Sequence, residues 1–195
     1  MNTQGTVRRK IGGGYPVWHE VTSKYPGGAT LGFIPAVGST ISEGTAFVVK
    51  NKIGMPIYFV KVSSAALKDA TALKVDSTEN HFVPSVGMKI TVNGQELEVT
   101  AVSEPVAGEV TLTVDALAAN VAEGTYGYTS EIGEVAIDIN DIKGISFNDI
   151  YIKEGTESAT VTIGDAGTVY ADRAAYIPLD VWKNYLQTIK LVGNI

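Results

Sequence analysis

Met88-Lys89-Ile90-Thr91-Val92-Asn93-Gly94-Gln95-Glu96-Leu97-Glu98-Val99-Thr100-Ala101-Val102, or MKITVNGQELEVTAV, decides the fold class. Ile90 and Val92 alternate with polar residues, and Leu97, Val99 and Ala101 do the same beyond Asn93-Gly94. Successive strand side chains point to opposite faces, so a period of two marks half-buried β-strands. Asn and Gly both tolerate the positive φ that a two-residue type I′ turn requires. The stretch therefore predicts a β-hairpin.

The same texture extends to both sides. GEVTLTVDAL (108–117) reads as a further strand, and EGTYGYTSEIG (123–133) closes the segment. SSAALKDATALKVDS (63–77) admits a short helix at its start, but Ala72–Asp76 alternates and is assigned to a strand. TALKVD (71–76) resembles VTLTVD (110–115), and each leads to a glycine, Gly87 or Gly124. Residues 62–129 are accordingly expected to form a small β-barrel built from two similar halves.

Elsewhere turns and strands alternate. IGGGYPVWHEVTSKYPGG (11–28) is broken by Gly12-Gly13-Gly14, Pro16, Pro26 and Gly27-Gly28, and reads as an extended arm with a strand near Val17–Val21. Ile34, Ile41 and Phe47-Val48-Val49 lie between turns. After Gly133, Val135, Ile137 and Ile139 alternate, as do residues 158–163, and Asp165-Ala166-Gly167 carries turn composition. The economical architecture is mainly β: two small β domains, sandwich or barrel, with 62–129 inserted into a discontinuous domain of 1–61 and 130–195. Insertions are tolerated at exposed turns whose ends lie together.

One helix interrupts this pattern. In YIPLDVWKNYLQ (176–187), Pro178 suits a first helical position and Asp180 complements the helix dipole. Leu179, Trp182, Leu186 and Ile189 form one apolar stripe, leaving Lys183, Asn184 and Gln187 to solvent. So short a helix needs that stripe buried against a sheet. TIKLV (188–192) can extend as a last strand.

Composition narrows the function. With 45% hydrophobic and 18% charged residues the chain has the material for a core. A net charge of −6 and a pI near 4.9 argue against nucleic acid as a partner, since phosphate binding needs clustered cations. The one basic run, Arg8-Arg9-Lys10, reads as a solvated arm. Absence of cysteine excludes disulfides, thiolate catalysis and cysteine metal sites. No apolar run reaches the roughly 18 residues of a membrane span, and residues after Met1 lack a signal-peptide core, so no membrane is expected and synthesis is placed in a cytoplasm.

Candidate chemistry is sparse, and no catalytic, cofactor or metal residue is assigned. His19 and His81 lie in dissimilar contexts and are read as surface histidines. Asp138, Asn140 and Asp141 offer oxygen ligands without calcium-loop spacing, while Ile137, Ile139 and Ile142 read as core. The glycine triplet lacks the Lys-Ser or Lys-Thr of a phosphate loop. Tyr15, Trp18, Tyr25, Tyr126, Tyr128 and Tyr151 suit either a β core or a glycan-stacking platform. That leaves a carbohydrate-binding β-module on a phage or bacterial surface as the alternative function, with surface glycans as partners.

The distinctive segments are Ile34-Pro35-Ala36-Val37-Gly38 within IPAVGSTISEGTAF, Gly167-Thr168-Val169-Tyr170-Ala171-Asp172-Arg173, and Ile177-Pro178. Residues 33–49 and about 130–195 resemble the head fibre and capsid decoration proteins of tailed bacteriophages. Val37 is an extra residue in the first motif, the family's leucine-proline before the final strand is missing, and residues 62–129 lie outside the shared pattern. The resemblance implies a non-catalytic virion protein on the outer capsid surface. It also implies the major capsid protein as partner, self-association as a homotrimer, an N-terminal arm reaching a neighbouring surface, and no cofactor.

Overall fold

The computed structural model describes residues 6–7, 17–78, 81–132 and 135–192. Arg8-Arg9-Lys10, the glycine triplet and Tyr15 lie outside them. The chain divides into two compact units. The inserted unit comprises Tyr58–Ala136 together with Met1–Arg8, and the discontinuous unit comprises Arg9–Ile57 and Ile137–Ile195. These limits differ from 1–61, 62–129 and 130–195. Residues 59–61 and 126–132 are strand partners within one sheet and go together.

In chain order, β1 (Thr6–Val7) belongs to the inserted unit. The discontinuous unit then supplies β2 (Trp18–Lys24), β3 (Ala29–Leu31), β4 (Thr40–Ile41), β5 (Ala46–Lys50) and β6 (Ile53–Ile57). The inserted unit follows with β7 (Phe59–Lys61), β8 (Ala72–Asp76), β9 (Phe82–Val83), β10 (Lys89–Val92) and β11 (Gln95–Val102). It ends on β12 (Glu109–Val114), β13 (Tyr126–Ile132) and β14 (Val135–Ala136). The chain returns through β15 (Ile142–Ser146), β16 (Ile150–Tyr151), β17 (Thr160–Val161), β18 (Ile163–Tyr170), α1 (Leu179–Tyr185) and β19 (Ile189–Val192).

The inserted unit is built on the predicted hairpin. β10 and β11 pair from Val92↔Gln95 outward, with Asn93 at φ 50° and Gly94 at φ 74°, the positive angles of the tight turn. Pairing continues in order β13-β10-β11-β12-β8, β7 lies on β13, and Val62, next after β7, bridges Val75 of β8. The antiparallel ladder thus runs round a ring. Alternate residues Leu73, Val75, Ile90, Val92, Leu97, Val99, Leu112 and Val114 are buried.

The two similar halves are related by the pairing itself. Leu73 and Leu112 occupy the same place in TALKVD and VTLTVD, and they are direct partners across β8 and β12. Thr91 and Tyr128, each at the same distance beyond Gly87 and Gly124, are partners across β10 and β13. Val75 meets Val62 as Val114 meets Val99. This is local two-fold pseudosymmetry. Both ends of the internal segment reach β13: Tyr58 accepts a hydrogen bond from the Thr129 amide, and Ala136 stands opposite Glu131. The possible helix at the start of 63–77 does not form. Ala66 instead bridges Val121, and Asp69 turns the chain at φ 67°.

The discontinuous unit carries a sheet in order β17-β3-β6-β5-β15-β18-β19, with β2 on β18, and a ribbon of β4 with β16. Phe47, Val49, Leu31, Ile41, Ile150, Ile152, Val161 and Ile163 form one core cluster. Ala46 and Val48, alternating with Phe47 and Val49, are also buried, so β5 is covered on both faces. Asp165-Ala166-Gly167 is not a turn. It lies inside β18, where the register against β2 shifts and Gly167 takes φ 147°. The Asp and Gly composition that suggested a turn serves a β-bulge. Val135 to Ile139 is not one strand either. β14 is two exposed residues, and Ile139–Asp141 forms a 3₁₀ turn capped by Asp138.

The sheet also explains the helix. β18 and β19 are parallel neighbours, from Gly167↔Ile189 to Tyr170↔Val192. No hairpin joins parallel neighbours, because the chain must first return to the end where it started. α1 occupies that crossover and packs on β15. Pro178 is its N-cap (φ −57°, ψ 143°), and helical residues begin at Leu179 rather than at the proline. Leu179 is 44% exposed, so the expected stripe is corrected to Val181, Trp182 and Leu186, followed by Ile189. Ile177, ahead of the helix, is buried instead. Lys183, Asn184 and Gln187 are exposed.

Candidate functional site

A buried polar network surrounds Ser146, which is fully buried at the end of β15. Its hydroxyl donates to the Ser42 carbonyl (2.8 Å) and accepts from the Thr45 amide (3.1 Å). Its amide donates to the Thr45 carbonyl (2.8 Å). Its own carbonyl accepts from the Gly44 amide (3.0 Å) and from the Trp18 indole N–H (3.1 Å). Glu43 completes the site: its Oε1 accepts from the backbone amides of Val17 (3.0 Å) and Trp18 (3.3 Å), and its own amide donates to Asp149 Oδ1 (2.7 Å).

Sequence explains the tight approach here. Gly44 turns the chain at φ +79°, and a Cβ there would lie 3.0 Å from Val17 Cγ1 and 3.2 Å from Ala174 Cα. The turn between β4 and β5 therefore touches both the start of β2 and the segment following β18. Each bond made by Ser146 is internal to this junction. The network holds three chain segments together.

A second polar cluster closes β8 in the inserted unit. Asp76 Oδ1 accepts from the Thr78 amide (2.8 Å) and hydroxyl, Lys61 Nζ stands 3.7 Å from Oδ2, and His81 Nδ1 stands 3.7 Å from Oδ1. Burial raises the Asp76 carboxyl pKa, but the Thr78 hydrogen bonds and the charges of His81 and Lys61 outweigh it and hold it below its ordinary value. Thr78 Oγ1 also lies 3.2 Å from His81 Nδ1. A hydroxyl–histidine–carboxylate relay places carboxylate and nucleophile on opposite ring nitrogens. Here both approach Nδ1, and the arrangement is that of an Asx-type turn.

The remaining candidates separate. His19 is exposed and stacks on Tyr170 (5.4 Å between centroids), with the Arg173 guanidinium 4.0 Å from the same ring. His81 belongs to the other unit. Asp138 turns its carboxylate onto the Asn140 amide (2.9 Å) and Nδ2 (2.8 Å), so the acids of DINDIKG serve a local cap. Ile137 and Ile142 are buried as expected, and Ile139 is half-buried. Among the described residues no group of three or more His, Cys, Asp or Glu is placed to hold a metal.

The described aromatics take different places within the two units. Trp18 is buried, Tyr25 packs on the core cluster, and Tyr126 meets Phe59 edge-on. Tyr151 is 64% exposed and lies on the β4–β16 ribbon, opposite Thr40. Beside it, the Gly38 amide donates to the Ile152 carbonyl (2.8 Å), which sets the Ile34–Gly38 segment against the ribbon. Val37 in that segment is 66% exposed. Composition alone did not reveal these two exposed apolar residues, because only the fold brings the segment holding residue 37 to the strand that follows residue 150.

Among the described residues no helix is long and apolar enough to cross a membrane. Comparison with known proteins finds no matching family model, no matching curated protein and no matching solved structure.

Proposed function

We propose that this chain is a structural, non-catalytic virion protein, a capsid decoration or head fibre protein on the outer surface of a tailed-bacteriophage head. Its partners are the major capsid protein and further copies of itself, arranged as a homotrimer. One observation carries the reading: the two stretches that resemble that family, far apart in sequence, meet at one junction. Gly44 of IPAVGSTISEGTAF packs on Ala174, immediately after GTVYADR, and Trp18 joins them through Ser146. Shared motifs that interlock in space act as a unit of fold, which short coincidental likenesses do not require.

The polar groups support the same reading, since the two buried or half-buried clusters are spent on turns and strand ends. Val37, ahead of β4, and Tyr151, on β16, are large apolar side chains left exposed, of the kind that protein partners cover. Sedimentation with purified, DNA-free mature heads of the phage encoding the chain tests the proposal. Saturable binding, with label on the outer face in electron micrographs, is expected. Heads that sediment without the protein refute it.

A further inference from the structure

We propose that Asn93-Gly94 is a site of spontaneous covalent self-modification, where the Gly94 main-chain nitrogen closes on the Asn93 side-chain amide and water opens the ring to aspartate or isoaspartate. Glycine follows Asn93, whereas every other asparagine in the sequence precedes a residue with a side chain. The tip of the β10–β11 hairpin leaves the reacting groups accessible. Both residues are exposed, and a Cβ built on Gly94 meets nothing within 4 Å. Among the described residues no backbone carbonyl accepts from the Gly94 amide. The attacking nitrogen is neither crowded by a side chain of its own nor held by a main-chain hydrogen bond.

The chemistry needs only water. The Gly94 nitrogen gives its proton to solvent and bonds to Asn93 Cγ, and the Cγ–Nδ2 bond then breaks, releasing ammonia and leaving a five-membered imide. One water adds to either imide carbonyl. Opening the bond to Cγ leaves aspartate, and opening the bond to the main-chain carbon leaves isoaspartate, with the chain running through the former side chain. Nothing is oxidised or reduced, and the lost ammonia makes the change one-way.

The fold gives the change a consequence within the inserted unit. Asn93 Nδ2 donates to the Asn120 carbonyl (3.3 Å). Gln95 Oε1 accepts from the Ala118 amide (2.6 Å) and the Ala119 amide (3.3 Å). Asn120 Oδ1 in turn accepts from the Lys68 amide (2.7 Å). The hairpin tip thus holds segment 118–120. Aspartate at 93 sets a carboxylate against the Asn120 carbonyl, two acceptors with no donor between them. Isoaspartate adds a methylene to the main chain between Val92 and Gln95, which are register partners. Either product loosens the tip.

Asn51-Lys52 supplies the control. It is the two-residue turn between Lys50 and its partner Ile53, with φ 52° and 63°, against 50° and 74° at Asn93-Gly94. The turn angles are alike and the following side chain differs. The folded full-length chain is incubated at mildly alkaline pH and followed by peptide mapping, with isoaspartate located by an isoaspartyl methyltransferase. Asn93 should convert at least an order of magnitude faster than Asn51, with isoaspartate in excess. Lys52→Gly, which removes a side chain from a positive-φ position and so keeps the turn, should raise Asn51 to the rate of Asn93. Gly94→Lys should lower Asn93 to the rate of Asn51. In the converted fraction, separated by anion exchange, the Ala118 and Ala119 amides should exchange hydrogen faster. An Asn93 that stays an amide in the folded chain, an Asn51 that keeps pace with it, or an Asn51 unmoved by Lys52→Gly overturns the modification site. Unchanged exchange at Ala118 and Ala119 overturns its loosening of the tip.

Discussion

Gly164→Ala probes the junction where β2, β15 and β18 meet. An ideal Cβ on Gly164 has Trp18 atoms as its three nearest neighbours, Cε2 at 3.0 Å with Cζ2 and Cη2 closer still. The indole has little room to withdraw. Its N–H is bonded to the Ser146 carbonyl at 3.1 Å, its backbone amide to Glu43, and a Cβ on Gly167 would lie only 3.0 Å from Cζ3. Overpacking of this kind costs about 1–3 kcal/mol. In open space the same exchange would gain about 0.4–1 kcal/mol by restricting the unfolded chain. Trp18→Leu removes the colliding ring and costs less than the roughly 3–5 kcal/mol of a full Trp→Ala truncation. In that background Gly164→Ala should be neutral or slightly stabilising, giving a coupling energy above about 1.5 kcal/mol, where independent sites add within roughly 0.3–0.5 kcal/mol. Urea titration followed by tryptophan fluorescence measures this directly. Trp18 and Trp182 are the two tryptophans of the chain and both lie in the discontinuous unit, so the signal reports that unit alone. Equal costs for Gly164→Ala with and without the indole would refute the steric account.

Trp182→Ala should destabilise the discontinuous unit by about 3–5 kcal/mol, whereas Leu179→Ala should cost under about 0.5 kcal/mol; similar losses in the same titration would restore Leu179 to the core. A fragment of residues 58–136 should melt cooperatively, and one of 62–129 should not, because the shorter piece lacks β7 and part of β13 and opens the ring; near-ultraviolet circular dichroism of the tyrosines decides. Asp76, depressed when folded, contributes stability that is complete above its unfolded pKa of about 3.9 and is lost as pH falls through the lower folded value. Asp76→Asn should therefore flatten the acid limb of the inserted unit's stability below about pH 4, and an unchanged limb would show that the Thr78 hydrogen bonds do not favour the charged form.

What was legible in the sequence was local or repeated. Asn93-Gly94 specifies its turn by backbone angles that few other residue pairs accept, so the β10–β11 hairpin needed no tertiary information. TALKVD and VTLTVD are alike because two strands pairing about a local two-fold place equivalent residues in equivalent surroundings, Leu73 against Leu112. Long-range relations were harder. β7 and β13 pair across most of the inserted unit, and nothing in FVK or YGYTSEI announces the partner, so a boundary drawn by texture separated β7 from β13 and cut through β13. Asp165-Ala166-Gly167 misled because bulges and turns recruit the same residues. A Cβ on Gly167 would collide with the Glu20 carbonyl, a contact visible only once β2 is alongside.

The junction around Ser146 was illegible for a related reason. The serine of ISFND (145–149) carries no signal, and its importance comes from five hydrogen bonds assembled from Trp18, Ser42, Gly44 and Thr45. Helix α1 shows how far periodicity reaches before topology takes over. Its existence, exposed face and buried Trp182 follow from the spacing of apolar residues, yet spacing alone put Leu179 inside. The sheet sets the phase. β18 and β19 must run parallel and side by side, the crossover must return the chain within residues 171–188, and Ile177 and Pro178 are drawn into the core before the helix begins. A seven-residue helix then has buried places for Val181 and Trp182 along its length, and its first residue faces water. The helix is retained because a parallel edge strand cannot be reached by a turn, and its buried face is whatever that crossing leaves against β15.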